Sequence, residues 1–196
     1  MKKITLLFAI LTVGTFAATA QTEKGRFVVS GQSNLNFSSV SSKVYYDKKK
    51  VGDYGKTTSF NFTPGVGYFV IDNLSVGLDV GLNFSRFKAE GEDADKSETV
   101  SLIPSATYYF PLEGQVKPYV NAGAGYAFNS NGSSDKEKAS GVAYGGSAGI
   151  AVFLKSNLSI DLGVGYTGTR LKNKYDEKIE VRAGGVAAVA GFSFYF

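Results

Sequence analysis

The sequence predicts an all-β protein in which eight antiparallel strands, in up-and-down order, close into a transmembrane β-barrel after a cleaved signal peptide. Three observations predict this fold. Eight segments alternate between apolar and small polar residues, which is the period of a β-strand with two unlike faces. The connections between the segments are alternately short and long, and the charged residues are concentrated in the long ones.

The first 20 residues predict export. Lys2 and Lys3 precede the apolar run ITLLFAILTVGTFA, and the sequence Ala18-Thr19-Ala20 follows it. This order is typical of a signal peptide, so we expect cleavage after Ala20 and a barrel domain over residues 21–196. The alternative is a membrane-anchor helix, but the apolar run is short for a span of about 20 residues.

The first four strand segments span residues 27–37, 59–70, 73–84 and 100–110. In the third, NLSVGLDVGLNF, the residues Leu, Val and Phe fall on one parity, while Ser, Gly, Asp and Asn fall on the other. The other three repeat this pattern with more aromatic residues, and with Pro64 and Pro104 on the apolar parity. Each is therefore predicted to be a strand with one apolar face and one small, polar face.

The last four strand segments span residues 120–128, 142–154, 157–166 and 186–196. The seventh opens with the same Asn-Leu-Ser as the third, and the eighth ends in GFSFYF. They alternate as the first four do, and no segment after residue 20 has the period of a helix. The sequence therefore predicts eight strands.

The connections predict how these strands are joined. The three short ones lie at Asp72-Asn73, 111–115 and 155–157, whereas the four others are long, polar and charged. Short turns at one rim and long loops at the other are typical of an up-and-down barrel.

The placement of charge distinguishes two kinds of eight-stranded barrel. A soluble, lipocalin-like barrel packs its apolar parity inside, whereas a membrane barrel turns that parity toward lipid. The other parity here is Ser, Thr, Asn and Gly with few charges, too uncharged for a water-exposed surface. The charges lie instead in the connections KVYYDKKKVGDYGK, KAEGEDADKSE and RLKNKYDEKIEVR. The sequence therefore favours the membrane barrel, with a narrow polar lumen.

Aromatic residues on the apolar parity form two groups. Those near the short-turn rim are Phe27, Tyr68, Tyr108, Phe110, Phe194 and Phe196. Those near the long-loop rim are Phe37, Phe60, Phe62, Phe84, Tyr126, Phe128, Tyr144 and Tyr166. Two aromatic girdles on either side of an aliphatic band are typical of a barrel that spans a bilayer.

The chain resembles the small eight-stranded outer-membrane β-barrel proteins of Gram-negative bacteria, the OmpA/OmpX-like group, and within them the porin-family barrels of Bacteroidetes. The resemblance rests on GYFVIDNLSVGLDVGLNF, VKPYVNAGAGYAF and GFSFYF. It implies a location in the outer membrane. It also implies that Phe192, Phe194 and Phe196 form a C-terminal signal read by the barrel-assembly machinery, a partner during biogenesis.

The composition argues against several classes of function. The chain has no His and no Cys, the commonest catalytic bases, nucleophiles and transition-metal ligands. We therefore expect no enzyme, no cofactor and no metal site. The net charge of +4 falls to +2 without Lys2 and Lys3, so nucleic acid is not expected as a partner. We expect a monomer.

Four charged residues have inward parity: Asp79, Asp161, Lys117 and Arg26. Bare charges in a narrow lumen are costly, so we expect ion pairing or water contact among them. The two interpretations are an ion-selective constriction and a packed plug, and the small diameter of an eight-stranded barrel favours the plug.

Two further groups of charges lie near the long-loop rim. The first has outward parity and consists of Arg86, Lys88, Arg170, Lys172 and Arg182. These side chains are suited either to bind lipopolysaccharide phosphates or simply to snorkel from the lipid edge. The second, Glu90, Glu92, Asp93, Asp95 and Glu98, lacks the spacing of a calcium loop, and a solvated charge run is favoured.

Two functions remain open on the sequence alone. The first is a structural or surface-interaction role, carried by the long extracellular loops. The alternative is a narrow pore or porin-like transporter for small or apolar solutes. A lipid hydrolase or acyltransferase is a distant third, because no histidine is present to serve it.

Overall fold

The computed structural model describes residues 22–34, 40–46, 49–88, 95–131, 138–173 and 180–196. The predicted signal peptide lies outside these residues, and its cleavage stays a prediction. The strands are β1 (Phe27–Asn34), β2 (Val40–Tyr46), β3 (Lys49–Ile71), β4 (Leu74–Lys88), β5 (Asp95–Tyr109), β6 (Val116–Asn131), β7 (Lys138–Lys155), β8 (Leu158–Asn173) and β9 (Glu180–Tyr195). Across the described ranges, no helix is long and apolar enough to cross a membrane.

The predicted eight-stranded barrel is confirmed. The sheet order is β1-β9-β8-β7-β6-β5-β4-β3-β2, and β1 also pairs with β3, which closes the sheet on itself. In the closing strand, Val29 lies opposite Phe194 of β9 on one side and Val66 of β3 on the other. All the paired strands are antiparallel, so β1 and β3 to β9 form an up-and-down barrel.

The β2 strand is the one element that the sequence did not predict. It lies in the first long connection and pairs with the part of β3 from Lys49 to Thr57, beyond the region where β3 pairs with β1. We call this paired segment, residues 40–46 and 49–57, the outer hairpin. Strands that project into water can be polar on both faces, so the alternation that identifies membrane strands is absent here.

The apolar parity faces outward, as predicted. In β1, the exposed fractions of Phe27 and Val29 are 53% and 40%, whereas that of Val28 between them is 6%. Both aromatic girdles are on the outer surface, although Phe62, Phe194 and Phe196 are only half-exposed and Phe37 lies outside the described residues. An aliphatic band that includes Leu78, Leu102 and Ile150 separates them.

The three short turns are confirmed at residues 72–73, 110–115 and 156–157. Asn73 has a φ of 65° and Gly114 a φ of 97°. This left-handed region favours glycine and tolerates asparagine, which explains why these residue types occupy the turns. By the usual orientation of such barrels, these short turns face the periplasm and the long connections face the outside.

The sequence suggested that only small side chains fill the lumen. This is wrong near the short-turn end. Five large aromatic residues point inward near the short-turn end and form what we call the aromatic plug: Phe69, Tyr109, Tyr119, Phe153 and Tyr195. Neighbouring rings in this group have centroids 5.1 to 6.3 Å apart. Because the five residues come from β3, β5, β6, β7 and β9, the plug crosses the lumen from wall to wall.

The lumen nearer the long loops is lined differently. Ala127, Ala143 and Leu171 form a second apolar cluster, with Ile103 and Ala139 packed against it. Polar contacts include Asn83 donating to Asn61, and Asn129 donating to Ser97 and Thr99. The polar side chains here agree with the predicted small, polar lumen, whereas the cluster around Leu171 is apolar and differs from it.

Candidate functional site

The two Asn-Leu-Ser sequences occupy equivalent turns, one at β3–β4 and one at β7–β8. Each follows an inward phenylalanine by four residues, Phe69 before Asn73 and Phe153 before Asn157. The main-chain carbonyls of the two asparagines accept hydrogen bonds from Tyr109 N at 2.8 Å and Tyr195 N at 3.0 Å. The repeat therefore places four of the five plug residues, one phenylalanine and one tyrosine at each turn.

The two tyrosines meet inside the lumen. Tyr195 Oη donates to Tyr109 Oη at 3.3 Å, and Ser159 Oγ lies 3.3 Å from Tyr195 Oη. Tyr195 is also in ring contact with Phe69 and Phe153. The hydroxyl groups of Tyr109 and Tyr195 are thus hydrogen-bonded to each other, which lowers the cost of burying these two polar rings at the centre of the barrel.

Asp161 is the more deeply buried of the two inward carboxylates, with an exposed fraction of 3%. Ser159 Oγ donates to its Oδ1 at 2.7 Å, and Ser193 Oγ donates to its Oδ2 at 2.5 Å. Ser159 and Ser193 are register partners on β8 and β9. The two strands therefore hold one hydroxyl group against each carboxylate oxygen.

Asp79 has a looser setting on β4. The Ser105 side chain on β5 hydrogen-bonds its carboxylate. Gly65 on β3 is its register partner, and a Cβ at that position would overlap a carboxylate oxygen of Asp79. The absence of a side chain at Gly65 therefore makes the space that Asp79 occupies.

Both carboxylates line one internal cavity of about 40 Å³, next to the plug. Its other polar lining residues include Ser30, Ser105, Thr107, Asn121 and Ser193. A water molecule needs roughly 10–15 Å³ of such volume, so the cavity has room for about three. Asp79 and Asp161, which the sequence placed only on the same parity, thus both line this cavity.

The two inward cations, Lys117 and Arg26, have other neighbours than the two carboxylates. Lys117 Nζ donates to Thr22 Oγ1 at 3.1 Å and lies 5.9 Å from the centre of the Phe153 ring. Arg26 is half-buried next to β3, where its carbonyl accepts a hydrogen bond from Phe69 N at 2.9 Å. Among side chains that the structure describes, we find no ion pair for Asp79 or Asp161. The expected water contact stays a prediction.

The segment before β1 lies across the periplasmic mouth. Thr22 is buried, and its hydroxyl donates to Asn73 Oδ1 at 2.6 Å while it accepts from Lys117 Nζ. Asn73 N donates to Thr22 O at 2.6 Å, and Lys24 N donates to an Asp72 carboxylate oxygen at 2.8 Å. These hydrogen bonds tie residue 22 to the first short turn and to Lys117 of β6 at the same end of the barrel, a contact that sequence reasoning missed.

The predicted rim residues lie at the long-loop ends of the strands. Arg86, Arg170 and Lys172 are exposed, whereas the side chains of Lys88 and Arg182 fall outside the described residues. The register places Arg86 opposite Lys96 and Arg170 opposite Arg182. Of the acidic stretch, Glu98 is exposed. Glu90, Glu92 and Asp93 lie outside the described residues, as does the side chain of Asp95. Binding of lipopolysaccharide or calcium at this rim stays a prediction.

The C-terminal residues complete the barrel wall. Phe196 N donates to Phe27 O at 2.9 Å, and Phe27 N donates to Phe196 O at 3.1 Å. Phe192 is exposed and its ring lies 5.8 Å from that of Phe194, with Phe194 and Phe196 half-buried. The last strand therefore closes the barrel against the first, and the predicted role of these three residues as an assembly signal stays a prediction.

Comparison with solved structures supports this fold. Neisserial surface protein A is 22% identical, with a TM-score of 0.54 over 88% of this chain and 98% of that one. The outer membrane protein OprG from Pseudomonas aeruginosa is 17% identical, with a TM-score of 0.50 over 91% of this chain and 99% of that one. No curated protein sequence matches the chain.

A family model describes nearly the whole chain. The model for the outer membrane protein beta-barrel domain matches residues 6–194. This match agrees with the closed barrel, its apolar outer surface and its two aromatic girdles. The chain therefore belongs to the outer membrane protein β-barrel domain family, and its location is the outer membrane.

Proposed function

We propose that this protein is a sealed, non-conducting outer-membrane barrel whose extracellular hairpins carry a surface-interaction role. The observation that carries the proposal is the aromatic plug, in which rings from five strands meet in the lumen. An ion or solute that crossed the barrel would have to displace buried rings, among them Tyr109 and Tyr195, whose hydroxyl groups are hydrogen-bonded to each other. The hydrogen bonds that tie Thr22 to Asn73 and Lys117 lie at the periplasmic end of the same path.

The alternative, a narrow pore, is supported by the polar cavity around Asp79 and Asp161. That cavity does not by itself make a path, because the plug adjoins it and the apolar cluster of Ala127, Ala143 and Leu171 also occupies the lumen. A pore would require the plug to move. The sealed barrel needs no such rearrangement, and it is the function that we favour.

The outer hairpin is the best candidate for the interacting surface. Between residues 40 and 57 the sequence has five lysines against two aspartates, together with Tyr45, Tyr46 and Tyr54. A local excess of positive charge attracts anionic partners and raises their rate of association. We therefore propose that the outer hairpin recognises an anionic polymer at the cell surface, such as an acidic polysaccharide.

Shortening the outer hairpin tests this proposal. Replacing residues 40–57 with a two-residue turn should leave the barrel folded, because β1 pairs with the later part of β3, from Thr63 to Tyr68. Bacteria that display the wild-type protein should bind immobilised heparin, used as a sulfated probe, and should lose that binding when the hairpin is shortened. Uncharged dextran serves as the control surface. Equal heparin binding by the shortened and wild-type proteins would contradict the surface role of this hairpin.

We also propose lipopolysaccharide as a partner of the basic rim. The strand register pairs Arg86 with Lys96 and Arg170 with Arg182, so two basic residues are register partners at each of these long-loop strand ends. Arginine can bind a phosphate through two parallel hydrogen bonds. Replacing Arg86 and Arg170 with serine should reduce the thermal stabilisation that added lipopolysaccharide gives the wild-type barrel. An unchanged stabilisation would leave snorkelling as the role of these residues.

A further inference from the structure

The outer surface of β8 changes from aromatic to basic toward the long loops. Its successive outward positions are Tyr166, Gly168, Arg170 and Lys172, and the tyrosine and both cations are exposed. Successive outward positions on a strand are about 7 Å apart. Glu180, on β9, is the register partner of Lys172 and therefore lies farther from the membrane than Arg170. The aromatic edge of the membrane-spanning wall thus leads directly to a cation.

Two glycines allow a pair of tyrosine side chains to lie against the wall at this point. Gly168 is the register partner of Tyr144 on β7 and is buried, and a Cβ at Gly168 would come within 2.6 Å of Tyr144 Cζ. A Cβ at Gly184, the register partner of Gly168 on β9, would come within 2.8 Å of Tyr166 Oη. Both tyrosine hydroxyl groups therefore lie against one register pair of glycines.

The two hydroxyl groups leave one proton for a ligand. The Tyr144 and Tyr166 side chains hydrogen-bond each other. A phenol has one proton, so whichever hydroxyl donates, the proton of the other stays available to an acceptor. The next outward positions toward the long loops are Arg170 and its register partner Arg182. An anion at this level would meet a hydroxyl donor from below and the Arg170 guanidinium from above.

The other basic register pair of the rim, Arg86 and Lys96, lacks these features. The outward positions next to it on the membrane side are Phe84 and Glu98, which are register partners. Both are exposed. Phenylalanine has no hydroxyl group, and a carboxylate repels an anion, whereas the β8–β9 pair has two glycines at the same place. Hydrogen bonding and charge both favour the β8–β9 end as an anion site.

We propose that Tyr144, Tyr166 and Arg170 form a site for one phosphate group of lipid A, the membrane anchor of lipopolysaccharide. The Arg170 guanidinium pairs with the phosphate, and the tyrosine pair donates one hydrogen bond to it. The site lies at the long-loop end of the apolar surface, where a lipid of the outer leaflet places its headgroup. This inference rests on the proposed role of lipopolysaccharide as a partner of the basic rim, and it assigns the phosphate to one of the two register pairs.

Titration with lipid A tests the proposal. The wild-type barrel would be folded in an uncharged detergent and its unfolding temperature followed against the concentration of bisphosphorylated lipid A, since a ligand that binds the folded state raises this temperature. Arg170→Ser and Tyr144→Phe/Tyr166→Phe should each weaken binding on the order of tenfold, as expected for losing a hydrogen bond to a charged group. Arg86→Ser and Tyr126→Phe are the matched controls and should bind as the wild type does.

The tyrosine control removes a hydroxyl group of the same girdle outside the proposed site. Tyr126 is exposed on β6, and its Oη lies 3.4 Å from Ser140 Oγ. Two further lipids test the chemistry of the ligand. Lipid A without its phosphates, and phosphatidylglycerol, should each stabilise the wild-type barrel less than bisphosphorylated lipid A does. Equal stabilisation by either lipid would overturn the phosphate site.

The variants distinguish failure of this site from failure of the proposed function. Equal losses for Arg86→Ser and Arg170→Ser would overturn the site and leave lipopolysaccharide as a partner of the whole rim. Wild-type affinity in Tyr144→Phe/Tyr166→Phe would do the same. If lipid A does not stabilise the wild-type barrel at all, the proposed role of the rim fails, and the site fails with it.

Discussion

The β3–β4 and β7–β8 hairpins share a local sequence but differ in what they hold. Both place a buried phenylalanine four residues before an Asn-Leu-Ser turn, and in both the asparagine carbonyl accepts a hydrogen bond from a plug tyrosine. Both also place a buried serine on the lumen side, Ser75 and Ser159. Four of the five plug residues therefore form two similar halves, joined where Tyr109 and Tyr195 meet.

The differences come from tertiary partners. Asn73 has a positive φ and its side chain accepts a hydrogen bond from Thr22, whereas Asn157 does not adopt that backbone conformation. Asp161 stands two residues after Ser159 and accepts two serine hydroxyls, whereas Asp79 stands four residues after Ser75. The first hairpin thus anchors the N-terminal segment, and the second anchors the more deeply buried carboxylate. Identical tripeptides acquire different roles from the strands beside them.

The largest expected effect comes from removing either plug phenylalanine. Phe69→Ala and Phe153→Ala should each lower the free energy of unfolding by about 3–5 kcal/mol, because each leaves a cavity among buried rings. Both rings contact Tyr195, so the double variant should lose less than the two single losses added together. Unfolding by urea in lipid vesicles measures these values.

Phe128→Ala is the matched control, since Phe128 is an exposed residue of the aromatic girdle near the long-loop rim. Its loss should be much smaller than that of either plug phenylalanine. Equal losses for Phe128, Phe69 and Phe153 would contradict a packed plug.

The next largest losses of unfolding free energy should come from removing the inward carboxylates of Asp161 and Asp79. Asp161→Ala removes the acceptor of Ser193 and leaves Ser159 only its longer contact with Tyr195 Oη at 3.3 Å. At roughly 1–3 kcal/mol for a buried unpaired group, with a smaller loss at Ser159, we expect a total of about 2–4 kcal/mol. Asp79→Ala strands only Ser105 and should cost about half as much. The same urea titration compares the two variants. A larger loss at Asp79 would contradict the ranking that the hydrogen bonds predict.

Gly65→Ala should destabilise the barrel through Asp79. The added Cβ would overlap the Asp79 carboxylate, and such overpacking costs about 1–3 kcal/mol. The penalty should shrink in an Asp79→Ala background, which a double-mutant cycle measures. An equal penalty in both backgrounds would mean that Gly65 is required by something other than Asp79.

The smallest expected effect is a difference in free energy of unfolding between variants of the two turn asparagines, Asn73 and Asn157. Asn73→Ala should cost about 1 kcal/mol, because alanine is strained at positive φ and the Thr22 hydrogen bond is lost. Asn157→Ala should stay within about 0.5 kcal/mol, as for an ordinary surface substitution. Asn73→Gly should recover part of the loss, since glycine tolerates positive φ. Equal costs for Asn73→Ala and Asn157→Ala would remove the distinction between the two turns.

Much of the barrel could be predicted from the sequence because a membrane strand has a strict period of two. That period revealed the eight barrel strands, the lipid-facing parity and the inward parity of Asp79 and Asp161. The outer hairpin was missed because strands beyond the bilayer do not need an apolar face.

The aromatic plug was missed for a different reason. Tyr68 precedes Phe69 and Tyr108 precedes Tyr109, so aromatic residues occupy both parities and the apolar alternation does not reveal which of them point inward. The shared cavity of Asp79 and Asp161 could not be predicted either. It depends on the stagger between strands far apart in the chain, which a single strand does not determine.

Ion conductance tests the central claim, a sealed lumen, most directly. The folded wild-type barrel would be inserted into a planar lipid bilayer and compared with a Tyr109→Ala/Tyr195→Ala variant, which removes the two rings that meet in the lumen. The opened variant should give discrete conductance steps, and the wild-type barrel should give none. Wild-type steps as large as those of the opened variant would contradict the sealed lumen and restore the pore as the function of this protein.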